Sequence, residues 1–163
     1  MIVVCDASPL IFLAKLDRLD LISRILGPEV VILQCVASEV TVADKADRIE
    51  SRRLLEFLQA SRIVDFNESA YPSGRLSASD RQTLTYAIRN QAAWLLADER
   101  LMRRIAHEEG LATIGTLGLL AAAVKRGHLA AMDALDELHI AVAKHGFRIS
   151  INLYQRFRAE IGE

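Results

Sequence analysis

Four carboxylates stand at positions from which one pocket could be built. Asp6 directly follows the apolar run 2–5, and Glu39 falls in the first turns of a helix expected after the run 30–33. Asp80 falls in the first turn of a mid-chain helix, and Asp98 directly follows the run 93–97. Carboxylates that converge raise one another's pKa unless a cation neutralises them. Oxygen-only ligands favour hard ions, Mg²⁺ or Mn²⁺, over zinc. Such an ion polarises a phosphodiester, generates hydroxide from water and steadies the leaving oxygen. It would also bridge a polyanion to an acidic cleft in a chain whose net charge is −1.

Each acid has a structural reading as well. Asp98 can cap the helix after it. Ser77 with Asp80 has capping-box spacing. Glu39 can be a solvated helix residue, and Asp6 can support the turn at Ser8-Pro9. Asp6 is the sharpest case, because an acid placed directly after a buried strand is poorly solvated and needs a partner. Arg81, Arg100, Arg103 and Arg104 follow the acids closely, and either hold phosphates or pair with the carboxylates.

Other chemistries find less support. Cys5 and Cys35 are thirty positions apart with no CxxC spacing, which suits buried thiols better than a disulfide or zinc site. The four histidines form no HExxH pattern. Gly115-Thr116-Leu117-Gly118 lacks the ending of a P-loop and reads as a strand-to-helix turn with Thr116 as cap. An aspartyl-phosphatase nucleophile at Asp6 would want a second Asp where Ser8 stands. His145, beside Gly146, reads as a cation at a helix C-terminus.

The elements that must position the acids follow from the apolar patterning. Short β-branched or apolar runs at 2–5, 30–33, 63–66, 93–97 and 111–114 read as strands. Between them, helices are expected from Ser8 as N-cap with Pro9 at the first position, over 19–26, 35–40, about 46–58, from 77, from Asp98 to about 109, and over 116–126. Residues 67–74 read as a loop. Met132, Leu135, Leu138 and Val142 form an apolar stripe suited to core or a dimer surface, and a last helix covers about 151–160. Strands alternating with helices predict an α/β fold: a mainly parallel central sheet of about four or five short strands flanked by helices, with extra C-terminal helices. In such a sheet, strand ends and following helix starts share one edge, and ligands bind there.

At 163 residues the chain fits one domain, read as a core over 1–128 and a helical extension over 129–163. Apolar residues make up 52% and charged residues 25%, which excludes a disordered chain. No apolar run approaches the ~20 residues of a bilayer span, and the N-terminus lacks a basic leader, so a cytoplasmic protein away from membranes is expected. The balance of 20 basic and 21 acidic residues excludes a wholly basic coat for nucleic acid, although 16 of the bases are Arg.

The stretches 4–11 (Val-Cys-Asp-Ala-Ser-Pro-Leu-Ile), 36–40, 95–100, 114–118 (Ile-Gly-Thr-Leu-Gly) and 146–150 together resemble the PIN-domain nucleases. The likeness is to a PIN-like subfamily of unknown function related to VapC-type toxins, and it covers nearly the whole chain. It implies that Asp6, Glu39, Asp80 and Asp98 are catalytic, metal-binding acids, with Ser8 supporting the first. It also implies Mg²⁺- or Mn²⁺-dependent cleavage of an RNA substrate, by a toxin with an antitoxin protein as partner; a homodimer is expected. The family usually has Gly-Glu where this chain has Ser79-Asp80. Asp is one methylene shorter, and losing Gly stiffens the approach to the helix. The alternative is therefore a degenerate, non-catalytic PIN-like module that binds nucleic acid or protein.

Overall fold

In the computed structural model, residues 1–42, 49–71 and 74–163 are described. Five strands form one sheet: β1 (Val3–Cys5), β2 (Val30–Leu33), β3 (Arg62–Val64), β4 (Trp94–Leu96) and β5 (Thr113–Ile114). Their order is β3-β2-β1-β4-β5, and every pairing is parallel. Val3 stands opposite Val30 on one side and Trp94 on the other. The α/β class and the parallel sheet expected from the patterning are therefore present.

The strand order explains where a site can form. From β1 the chain adds β2 and β3 on one side, then returns to place β4 and β5 on the other. The order thus reverses between β1 and β4, and the helices leaving these strands diverge to leave a crevice beyond their carboxyl ends. Asp6 and Asp98 sit at the mouth of that crevice. β1 and β2 are buried on both faces, as their unbroken Val/Ile/Leu composition requires.

Helices α1 (Ala7–Lys15), α2 (Gln34–Val42), α3 (Ile49–Ala60), α4 (Ala78–Arg89), α5 (Arg100–Glu108), α6 (Thr116–Lys125), α7 (Ala131–Lys144) and α8 (Ile151–Glu160) flank the sheet, with a π-helical turn at Ile22–Leu26. Ala134, Leu138, Ala141, Phe147 and Phe157 join the same buried cluster as the strands. An edge-to-face contact between Phe12 and Phe147, centroids 4.7 Å apart, ties the segment after α7 to α1. Arg18 adds a second tie across the chain, its Nε and Nη2 lying 2.7 and 2.6 Å from Oε1 of Glu137. Arg18→Ala strips a charge-assisted partner from a half-buried acid, so a thermal melt should show a loss of about 1–3 kcal/mol. An unchanged melt would mean that this pair does not fasten α7.

Several elements depart from the sequence reading. α1 starts at Ala7 with Asp6 at the N-cap, not at Ser8. Pro9 is thereby the third helical residue, which is tolerated because the first four helical N–H groups lack intrahelical partners. The expected helix over 19–26 ends in the π-helical turn, and the third strand begins earlier, at Arg62, and ends at Val64. α3 begins at Ile49; residues 46–48 of the expected helix lie outside the described residues, as do Pro72 and Ser73 of the expected loop.

On α7 the buried positions are Ala134, Leu138 and Ala141, whereas Met132 and Val142 are 56% and 42% exposed. The inner face is thus built from two alanines together with Leu138, and Leu135 packs at its edge. His145 follows α7, but burial, then the charge of Lys15, lowers its pKa, so its neutral form is favoured.

Candidate active site

Asp6 is carried to the crevice by β1. Its backbone N–H donates to the Leu96 carbonyl, extending the β1–β4 pairing by one residue, and the side chain is only 5% exposed. Oδ1 is buried with no hydrogen-bond partner among the described residues. The Asp6 carboxyl is pushed up to about 7. Burial is the main cause, followed by the charge of Asp80; the Ala7 N–H opposes the rise, while Glu39 and a hydrogen bond to Asp80 add to it. Three sequence-selected acids, from β1, α2 and α4, therefore share one electrostatic neighbourhood.

Asp80 serves two purposes. Its backbone N–H donates to Ser77 Oγ at 3.0 Å, the cap that opens α4, while its carboxylate meets Asp6. Glu39 is exposed on α2, and beside this group Ser79 Oγ lies 3.5 Å from Cys35 Sγ.

Asp98 belongs to a different hydrogen-bonded set. Oδ1 accepts from the Thr116 N–H and Oδ2 from Thr116 Oγ1, both at 2.7 Å, with Ser8 Oγ at 3.5 Å from Oδ2. It does not cap α5; Glu99 does so by accepting from the Leu101 N–H. The cap position of α6 is Gly115, and Thr116 is its first helical residue, not its cap. A Cβ on Gly115 would lie 2.9 Å from Asp98 Oδ1 and 3.4 Å from Arg103 Nη1. Gly115 and Thr116 thus shape the seat of Asp98. In the sequence the two residues belong to a strand-to-helix turn and to the stretch 114–118 that carries the family resemblance, but neither bears a charge that marks it as the seat of an acid. Ser8, which donates to Asp98, stands two residues after Asp6 in the chain.

Of the selected arginines, Arg100 and Arg103 line a cleft of about 1030 Å³ that begins at Ser8 and Asp98. Arg81 is half-buried with its Nε unpartnered, and Arg104 is exposed, 4.0 Å from Glu108. Among the described residues, no group of three or more His, Cys, Asp or Glu is gathered closely enough to grip an ion as it stands. The donor chemistry nevertheless suits a hard cation: the ligating atoms are all oxygens, one of them buried without a donor.

The sequence profile of the family DUF3368, described as a PIN domain, matches residues 2–163. The chain therefore belongs to this PIN-domain family, whose wider class consists generally of nucleases. Among solved structures it is similar to a PilT N-terminus domain protein from the hyperthermophilic archaeon Sulfolobus solfataricus P2. The TM-score is 0.55 and the identity 18%, over 76% of this chain and 93% of the other. That likeness supports the fold. No curated protein matches the chain. Among the described residues, no helix is long and apolar enough to cross a membrane.

Proposed function

We propose that this chain is a Mg²⁺- or Mn²⁺-dependent ribonuclease whose reaction takes place at the carboxyl ends of β1 and β4. The observation that carries the reading is the buried, unpartnered Oδ1 of Asp6, set among the charges of Asp80 and Glu39. Asp6, Asp80 and Glu39 would hold the cation, with Asp98 completing the shell from the neighbouring group. When bound, the ion supplies Lewis-acid activation of the phosphodiester and of water.

The protein's own residues do the rest. Burial and the neighbouring carboxylates favour the protonated form of Asp6, and a cation held there would have to displace that proton. Ser8 and Thr116 fix the direction of Asp98. Arg100 and Arg103 lie beside Asp98, where a scissile phosphate and its neighbour would be held. The family resemblance supports a cytoplasmic toxin held in check by an antitoxin protein. The exposed Met132 and Val142 of the α7 stripe offer apolar surface for a partner or for a second copy in a homodimer.

Calorimetry with Mn²⁺ and cleavage of a single-stranded RNA, with and without chelator, test the reading. Cleavage should require the cation. Mn²⁺ affinity should fall as pH drops below about 7, because protons then compete for Asp6. The shorter Asp80 in place of the usual Glu favours the second reading, a non-catalytic PIN module. No Mn²⁺ binding and no cleavage would establish that reading instead.

A further inference from the structure

The cleft beside Asp98 is walled by parts of the chain that the acid site does not use. Arg100 and Arg103 of α5 stand on one side; Arg148, in the segment between α7 and α8, and Arg156 of α8 complete the lining. Elsewhere Arg18, Arg24, Arg53, Arg89 and Arg104 each lie against an acid. None of the four cleft arginines makes an ion pair among the described residues. The two acids of the lining are already engaged, Asp98 by Thr116 and Glu160 by Lys125 at 3.8 Å. Asp98 keeps its charge, since its Thr116 partners are neutral, so four guanidinium groups face one carboxylate without a cationic partner and the cleft carries an excess of positive charge in a chain whose net charge is −1.

We propose that this cleft is the path of single-stranded RNA, gripped through its phosphates by Arg100, Arg103, Arg148 and Arg156. The proposal rests on the nuclease reading, which sets the adjoining acids at one end of the path. Guanidinium forks match phosphate oxygens in pairs. A recess between helices receives an unpaired strand, whereas a duplex is read across its open grooves. The aromatic rings of the lining are committed elsewhere: Phe147 and Phe157 are buried, and Phe12 packs edge-on against Phe147. No ring of the lining is free to stack on bases, so the cleft follows the backbone and is indifferent to sequence.

The test is fluorescence anisotropy of a labelled twelve-nucleotide oligo-U in EDTA across a salt series, so that neither cation binding nor cleavage intervenes. For single strands, log affinity falls with log salt with a slope of about −0.7 per phosphate neutralised, so four contacts give a slope of about −2.8. The double variant Arg148→Gln/Arg156→Gln should halve that slope and weaken binding in low salt roughly tenfold. Both residues are exposed, and circular dichroism checks that the fold persists. The variant Arg24→Gln/Arg89→Gln, altered away from the cleft, should keep the wild-type slope, and oligo-A should bind within about twofold of oligo-U.

An unchanged slope in the cleft variant overturns the proposal, as does binding of oligo-glutamate in place of RNA, which would make this a groove for an acidic protein segment. If the wild type cleaves RNA with Mn²⁺ while the cleft variant keeps its slope, the nuclease reading stands and the path falls. A reduced slope without any cleavage leaves the path and removes the nuclease.

Discussion

Asp6→Asn should abolish RNA cleavage and, in metal-free protein, raise the melting temperature at neutral and alkaline pH. The Asp6 carboxyl, whose ordinary value is 3.8, is lifted to about 7 in the fold. A folded pKa above the unfolded one means that the native state binds the proton more tightly. The stabilisation belonging to that proton is full below pH 4 and is lost as pH rises through about 7. Above that, the ionised, buried carboxylate opposes folding by roughly 4 kcal/mol, since each pKa unit is worth about 1.4 kcal/mol. Asparagine has the same shape and no charge to bury. The two melting curves should therefore coincide near pH 4 and separate by on the order of 10 °C at pH 8. A gap that stays constant with pH would show that Asp6 is not held against its own ionisation, and an Asp6→Asn protein that still cuts RNA would remove it from the reaction.

The second large effect is expected at Gly115→Ala. Gly115 has φ −102, so alanine fits the backbone and the conflict is one of space. The new Cβ would lie 2.9 Å from Asp98 Oδ1 and 3.5 Å from the Ala97 carbonyl, which is fixed at the end of β4. Asp98 has to swing away, loosening two charge-assisted bonds of 2.7 Å to Thr116, itself only 2% exposed. Overpacking of this kind costs about 1–3 kcal/mol. Displacing a catalytic group by an ångström can lower turnover about a hundredfold. Gly74→Ala is the control, because a Cβ there meets nothing within 4 Å. Should Gly115→Ala melt and cleave as Gly74→Ala does, the turn after β5 does not govern Asp98.

Much of this arrangement was legible in the residues. An acid placed directly after a β-branched run could only arrive at a sheet edge, and Asp6 does. The capping reading and the chemical reading of Asp80 prove compatible, because its backbone fills one and its side chain the other. Asp98 shows where local reasoning ends. Local spacing offers it the cap of the helix beside it as the structural alternative, yet it binds the first turn of a helix eighteen residues on. That partnership depends on β4 pairing with β5, which periodicity does not specify. On α7 the apolar stripe is legible only in part: Leu138 is buried and Leu135 packs against the core, while Ala134 and Ala141, which bury little area each and so weigh little in a pattern of large side chains, complete the inner face.

The position of β1 between β2 and β4 has a consequence for how the molecule comes into being. Its second neighbour arrives only with residues 94–96, and the far wall of the arginine cleft only with α8. A chain still emerging from the ribosome carries its acids as separate, solvated groups of ordinary acidity. Pairings this distant along the sequence form slowly, because loop closure must precede the contacts that reward it. The site proposed for cleavage is thus assembled only after β4 and α8 have been made and packed.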